Sequence, residues 1–415
     1  MHAQQHLTEN IYWIGSNDWR TERFENLFPI PNGVSYNSYF IDDEKTCVVD
    51  SVDDEIRNVF FDNLDFLLQG RDLDYCVVNH MEPDHCGTLL EIVNRWPNVK
   101  LVGNQTTFRF FEQFYGSPKP ENYYHVGEGD EICLGKHTLT FVNMPMVHWP
   151  EVTATFEKTT GVLFSADAFG TFGSINGNIF ADQTDFVHAY EDEARRYYTN
   201  IVGKYGMQVQ NAIKKLLPLG PKFIAPLHGP IWRTPESISY MVEKYMHWST
   251  YTAEKKGVVI AFGSMYGNTA EMAQQLAKLL SLRGVKDIKI YDVSKTNASY
   301  IIADAWKYSH LVVMAPTYNL NLYLTMGSFI DELKSLNFHN HKVSIVGNHS
   351  WASAAMKKMV NIFTNEFKDM EIVGEPLDIK SALHEKDRHK FIELANAIAA
   401  SLESMDDPAK TEWKL

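Results

Sequence analysis

From Gly257 onward the chain alternates short apolar runs with amphipathic stretches, and this rhythm leaves few folds open to it. The apolar runs are VVIAFGS, DIKIYDV, HLVVMAPT, KVSIVGN and EIVGEPLDI. A strand buried on both faces reads as a continuous apolar segment, whereas a strand with one wet face alternates. After the first run, Ala273, Leu276, Ala277 and Leu280 fall at i, i+3, i+4 and i+7, the spacing of a helix with one buried stripe. Five such strands joined by crossover helices make a doubly wound five-stranded parallel sheet. This α/β domain is expected over residues 256–403, with the polar segment 404–415 as a frayed tail.

The first 255 residues read differently. NIYWIG, VSYNSYFIDD and TCVVDSV are short strand-like runs separated by Asn, Gly and Asp, and KLVGN, HTLTFVNMP, TATFEK and GVLFSADA continue the pattern. Helical stretches, GTLLEIVNRW and residues 185–217, are interleaved with them. The expectation is an α+β domain with mixed sheets packed against helices.

A chain of 415 residues exceeds one ordinary core, in keeping with two domains. The net charge of -14 argues against nucleic acid or an anionic membrane as a default partner. Four cysteines at irregular spacing, with no C-x-x-C pair, indicate neither a disulfide framework nor a thiolate metal centre, so a reduced, cytoplasmic setting is expected. The N-terminal sequence lacks signal-peptide features and no run is long enough to span a membrane.

Two clusters carry chemistry. In HMEPDH, directly after the apolar run Tyr75–Val78, His80, Glu82, Asp84 and His85 crowd a strand-to-loop junction. A polar turn capping the next helix is the plain alternative, but four potential ligands packed this closely would then carry unpaired polar groups. His148, Asp167 and His228 each follow a further apolar run, where loops present residues to a common site. Four histidines and three carboxylates exceed the needs of one tetrahedral zinc. In the second domain, VVIAFGS runs through Ser264, Met265, Tyr266, Gly267, Asn268 and Thr269 into a helix, a phosphate cradle without a lysine. The absence of G-K-[ST] and of G-x-G-x-x-G argues against a nucleoside triphosphatase and a dinucleotide site. Pro316, Thr317, Tyr318 and Asn319, with Ser350, Trp351 and Ala352, leave the same sheet edge. Tyr318 and Trp351 are placed to sandwich a planar ring, with Thr317 and Asn319 reaching its polar edge.

The H-x-E-x-D-H motif followed by a histidine, an aspartate and a histidine, with 62, 18 and 60 residues between them, resembles the metallo-β-lactamase-like domain of the flavodiiron proteins. The S-x-x-G-N-T loop and APTYN resemble a flavodoxin-type FMN site, as in the same family. The resemblance implies an N-terminal αββα sandwich followed by the flavodoxin-like sheet. It implies that one iron takes His80, Glu82 and His148, the other Asp84, His85 and His228, and that Asp167 bridges them. Tyr197 or Tyr198 is a candidate to supply a hydroxyl beside the centre, with a simple core aromatic as the more common role of such a pair. The implied activity is FMN-fed reduction of dioxygen to water, with nitric oxide reduction to nitrous oxide as the alternative. The implied partners are an external donor (a rubredoxin, a reduced deazaflavin or an NADH-dependent reductase) and a second copy, in a head-to-tail homodimer or a dimer of dimers. A zinc hydrolase fused to a flavodoxin, or an electron carrier with a metal-free first domain, are the rival readings.

Overall fold

The computed structural model describes residues 2–116 and 119–411. The chain falls into two compact units, residues 1–198 with 207–245, and residues 199–206 with 246–415.

In the first unit, one mixed sheet runs Gln5–His6, Ile11–Trp13, Tyr39–Ile41, Cys47–Val49, Tyr75–Val77, Lys100–Gly103 and Tyr123–His125 in spatial order. Its first four strands pair antiparallel and the rest parallel. A second sheet runs Glu131–Cys133, Thr138–Asn143, Thr153–Glu157, Val162–Phe164 and Phe223–Ala225. Alternate residues of both sheets share one core: Tyr39 and Ile41, Cys47 and Val49 from the first, Leu139 and Phe141, Val162 and Phe164 from the second. Side chains repeat every second residue along a strand, so these pairs point the same way and the two sheets form a sandwich.

Two expectations change here. VSYNSYFIDD is not one strand, because Val34–Tyr36 pairs with Ser16–Asp18 while Tyr39–Ile41 joins the large sheet. The break falls at Asn37, whose side chain leaves the ladder to bond Pro226 O and Gly229 O, at 2.9 Å each. The stretch 185–217 is helical only in pieces: Phe186–Ala189, Glu191–Tyr197, a π turn at Tyr198–Val202, a 3-10 turn at Gly203–Tyr205, and Gly206–Leu216. Two glycines lower helix propensity there. A Cβ on Gly206 would meet Ser249 O at 2.2 Å, so the backbone itself must pack closely.

The second unit has the expected doubly wound sheet. Its strands run Ile288–Asp292, Lys255–Phe262, Tyr308–Tyr318, His341–His349, then Met370–Ile372, all parallel. The fifth strand comes in two pieces, since Leu377–Lys380 also pairs with His341–His349 after a turn at Gly374. Val258, Val259, Ile260 and Ala261 are all fully buried, as a strand covered on both faces requires. Ala273, Leu276 and Leu280 of the helix Asn268–Ser281 are buried against it, with Ala277 packed at the edge.

The tail is held at two points rather than wholly frayed. Lys256 Nζ donates to Met405 O, and Pro408, itself buried, opens a 3-10 turn, Pro408–Lys410, whose other two residues are exposed. Residues 412–415 lie outside the described residues. Among the described residues no helix is long and apolar enough to cross a membrane.

Candidate metal centre and cofactor cleft

All seven candidate ligands meet in one buried place. His80 follows the strand Tyr75–Val77, and its position is set from below by Asp50. Asp50 accepts the N–H groups of Asn79 and His80 at 2.7 and 3.3 Å and the Asn79 amide at 2.8 Å. Burial pushes the Asp50 carboxyl up to about 6, against the pull of His85 and these donors. Pro83 then occupies the first position of a short helix, Pro83–Cys86, where its fixed φ is tolerated. This turn brings Glu82, Asp84 and His85 round to the same side as His80.

The other three ligands come from loops of the second sheet. Asp167 and His228 follow Val162–Phe164 and Phe223–Ala225 closely, as expected. His148 does not end a strand. The strand stops at Asn143, and tight turns through Met144 to Val152, with Met146 at φ 66°, carry His148 inward. Gly229 is needed beside His228: its φ is +74° and a Cβ would meet Thr171 Cγ2 at 2.1 Å.

The donor atoms form two groups, His80, Glu82, His148 and Asp167, and Asp84, His85 and His228, each with its atoms within 4.8 Å of one another. In the first, His148 Nε2 lies 3.0 Å from Glu82 Oε2 and 3.1 Å from Asp167 Oδ2, and His80 Nε2 lies 3.3 Å from His148 Nε2. In the second, His85 Nε2 lies 3.0 Å from His228 Nε2, 3.2 Å from Asp84 Oδ2 and 3.2 Å from Asp167 Oδ1. Asp167 therefore turns one oxygen to each group.

Two of the four tautomers are fixed from outside. His228 Nδ1 donates to Ser35 O at 2.8 Å, and His80 Nδ1 donates to Glu151 Oε1 at 2.8 Å. With those protons placed, a neutral ring presents its Nε2 lone pair to the centre. Lone pairs and carboxylates facing one another in a buried space call for a cation. Both oxygens of Asp84, and Oδ1 of Asp167, are buried with no hydrogen-bond partner. Leaving such atoms unpaired is costly. In the protein alone the strain falls on protons: burial opposes charging His148, but Asp167 and Glu82 outweigh it and push the imidazole up to about 9. Asp167 is held well below the usual carboxylate range, His85 and His80 overcoming its burial. The residues present thus fit a pair of metal ions.

Sequence reasoning missed Asp50, Glu151 and Ser35. Glu151, three residues past His148, is fully buried and also accepts the N–H of Met81 at 2.9 Å. Of the two tyrosines, Tyr197 is the one at the centre, its ring 5.4 Å from that of His228. Tyr198 packs instead on Tyr245, with rings 4.9 Å apart.

At the second site, Ser264 to Thr269 link the strand Lys255–Phe262 to the helix Asn268–Ser281. Gly267 takes φ 96° and donates its N–H to Ser264 Oγ at 3.1 Å. No side chain caps the helix, which leaves its first N–H groups and its dipole for an anion. Beside it lies a cleft of about 290 Å³ lined by Met265, Pro316, Thr317, Asn319, Ser350, Trp351 and Ala352. Trp351, 90% exposed, is free to cover a ring, as is Tyr266 at 92%. Two expectations shift. Tyr318 is outside the lining and stands 6.5 Å from the ring of Tyr323. Thr317 Oγ1 accepts the N–H groups of Ala354 and Ala355 at 3.0 and 3.1 Å, so its oxygen caps the helix Ala355–Asn365 and only its O–H is left to reach a ligand edge.

A lactamase-type sandwich with a two-ion donor set, joined to a doubly wound sheet with an uncapped phosphate-type loop, defines a two-domain redox enzyme. Residues 34–229 match the family described as ODP family beta lactamase, and residues 260–391 match flavodoxin. The chain is 31% identical over 394 residues to an uncharacterised protein of Methanocaldococcus jannaschii, covering 95% of this chain and 97% of that one. It is 30% identical over 358 residues to the anaerobic nitric oxide reductase flavorubredoxin of Klebsiella pneumoniae, covering 85% and 73%. Rubredoxin oxygen:oxidoreductase from Desulfovibrio gigas has the same fold with a TM-score of 0.90 at 27% identity, over 97% of this chain and 99% of that chain. The chain belongs to the flavodiiron protein family, and is an oxidoreductase of that family.

Proposed function

We propose that the seven buried side chains hold two irons and that the protein reduces dioxygen to water with electrons delivered through FMN. His80, Glu82 and His148 hold one ion, Asp84, His85 and His228 the other, and Asp167 serves both. The observation that carries this reading is the two-sided placement of Asp167, whose oxygens lie 3.1 Å from His148 Nε2 and 3.2 Å from His85 Nε2. Imidazole and hard carboxylate oxygen together suit iron better than a thiolate-seeking ion, and Glu82 adds anionic charge to one ion. When bound, FMN and the two irons supply one-electron chemistry that side chains lack.

The chain's own residues prepare that chemistry. Asp50 and Glu151 fix His80, and Ser35 fixes His228. Phe24, Tyr36 and Tyr197 close around His228 and limit water. Tyr197 supplies a hydroxyl at the centre. The uncapped helix takes the FMN phosphate, and the cleft beside Trp351 and Asn319 takes its ring.

The likeness to the Desulfovibrio gigas rubredoxin oxygen:oxidoreductase over nearly the whole length supports dioxygen as the substrate. The flavorubredoxin relatives support a second reading, reduction of nitric oxide to nitrous oxide. The donor is external, a rubredoxin, a reduced deazaflavin or an NADH-dependent reductase. The working assembly is a head-to-tail homodimer, or a dimer of dimers, in which FMN of one copy serves the metals of the other.

The test is made on anaerobic protein with iron and FMN content measured, supplied with a reductant that keeps FMN reduced. Electrodes follow dioxygen and nitric oxide in separate runs. Fast dioxygen loss with little peroxide supports the first reading, and faster nitric oxide loss the second. Neither, in protein that binds zinc and cleaves a hydrolase substrate, overturns both.

A further inference from the structure

Trp149 stands against one half of the metal centre. Its ring lies 5.4 Å from that of His80, at 90°, and 6.3 Å from that of His148, at 69°. Both histidines belong to the same donor group. Phe110 lies 5.8 Å from the same indole, also edge to face.

The other half is enclosed. Phe24, Tyr36 and Tyr197 lie 5.3, 5.7 and 5.4 Å from the ring of His228. These three are 3%, 3% and 0% exposed. Trp149 is only half-buried. Among the described residues it is therefore the one aromatic neighbour of the ligand histidines that reaches solvent. Its backbone is held, with Met146 N donating to Trp149 O at 2.8 Å, and Glu151, two residues on, is the acceptor for His80 Nδ1.

We propose that Trp149 is the bridge through which electrons from reduced flavin reach the His80–His148 half of the metal centre. This rests on the iron and FMN reading above. Electronic coupling falls less steeply through packed atoms than across a gap, and this indole stands between solvent and the rings of two ligands, with centroids 5.4 and 6.3 Å from its own. In the step, reduced FMN gives up one electron and one ferric ion becomes ferrous. The indole neither gains nor loses an electron or a proton, so it acts by coupling and not as a carrier. The protein thereby supplies the route while the cofactors supply the chemistry.

The experiment uses the full chain loaded with iron and FMN, under argon with no gas substrate. A light pulse with deazaflavin reduces FMN, and loss of ferric absorbance reports the transfer. Trp149→Leu is expected to slow that transfer severalfold, and Trp149→Phe to keep most of the rate. Iron content, FMN content and the midpoint potential of the irons should match the unaltered protein in both variants. Transfer at the unaltered rate in Trp149→Leu overturns the proposal. A slow variant that has lost iron or shifted its potential also overturns it, since Trp149 is then a positioning residue. Absence of flavin-to-iron transfer in the unaltered protein would instead sink the iron and FMN reading itself.

Discussion

Asp167 faces His148 with one carboxylate oxygen and His85 with the other, at 3.1 and 3.2 Å. A neutral amide of the same shape keeps one oxygen and puts an N–H where the other stood. Asp167→Asn is therefore expected to hold one ion per chain or fewer, and to lose turnover beyond the ~10–100-fold typical of a residue that only supports a ligand. Metal analysis of the purified variant checks the first point. Two tightly held ions in the variant would show that Asp167 does not serve both sites.

Glu151 touches the metal site only through His80. Its carboxylate orients the ring and raises its basicity, so Glu151→Ala should weaken metal affinity by about 10–100-fold while leaving the other ligands in place. Competition with a coloured chelator measures this. Glu151→Gln, which keeps an acceptor oxygen, should recover part of the loss; identical affinities in all three proteins would refute the role.

Gly229 has no room for a side chain, because Thr171 Cγ2 lies 2.1 Å from where a Cβ would stand and φ is +74°. Gly229→Ala is expected to cost about 2 kcal/mol or more, through both overpacking and backbone strain. Chemical denaturation reads the cost. Because His228 is the preceding residue, metal content should fall with it.

The ligand set and the second fold were legible for the same reason: both are local in sequence or strictly periodic. HMEPDH places four donors in six residues, and Ala273, Leu276 and Leu280 mark a helix face directly. What escaped is held by contacts across the chain. Asp50 supports Asn79 and His80 from 29 and 30 residues away, and Glu151 meets His80 across 71. Neither carries a periodic or motif signal of its own. The capping role of Thr317 was hidden because it acts on a helix 37 and 38 residues further on. His148 looked like a strand end because MPMV is apolar, whereas the chain there turns through Met146 at positive φ.

Glu157 gives a pH dependence away from the metals. Burial opposes its charge, but His137, the Thr160 hydroxyl and the N–H groups of Thr160 and Thr159 prevail and lower its carboxyl to about 2. Between about pH 2 and the ordinary carboxylate range near 4.5 the unfolded chain binds more protons than the folded one. Stability therefore rises with pH through that window, is complete above it, and is lost as pH falls through it. After allowance for solvent screening, the contribution at neutral pH is about 2 kcal/mol. Glu157→Gln should be less stable by this amount at pH 7 and converge with the unaltered protein at the acid end. Urea midpoints across pH measure it, and parallel curves would contradict it.

Tyr197 and Tyr198 are adjacent and both fully buried, yet only one belongs to the centre. Burial raises the Tyr197 phenol well above its ordinary value, and the charges of Asp167, Glu82 and Asp84 raise it further. It therefore stays a proton-bearing donor at any working pH. Its hydroxyl has no hydrogen-bond partner among the described residues, so a group bound at the centre is its natural acceptor. Tyr197→Phe removes only that oxygen. It should leave thermal stability unchanged or slightly raised, because no protein hydrogen bond is broken, while lowering kcat by about 100-fold, as loss of one aimed donor does elsewhere. Tyr198→Phe, whose ring packs on Tyr245, should keep kcat within a small factor. Melting curves and gas-electrode rates on the two variants separate the roles: equal kcat values would remove Tyr197 from the reaction, and a large drop in stability for Tyr197→Phe would make its hydroxyl a structural group.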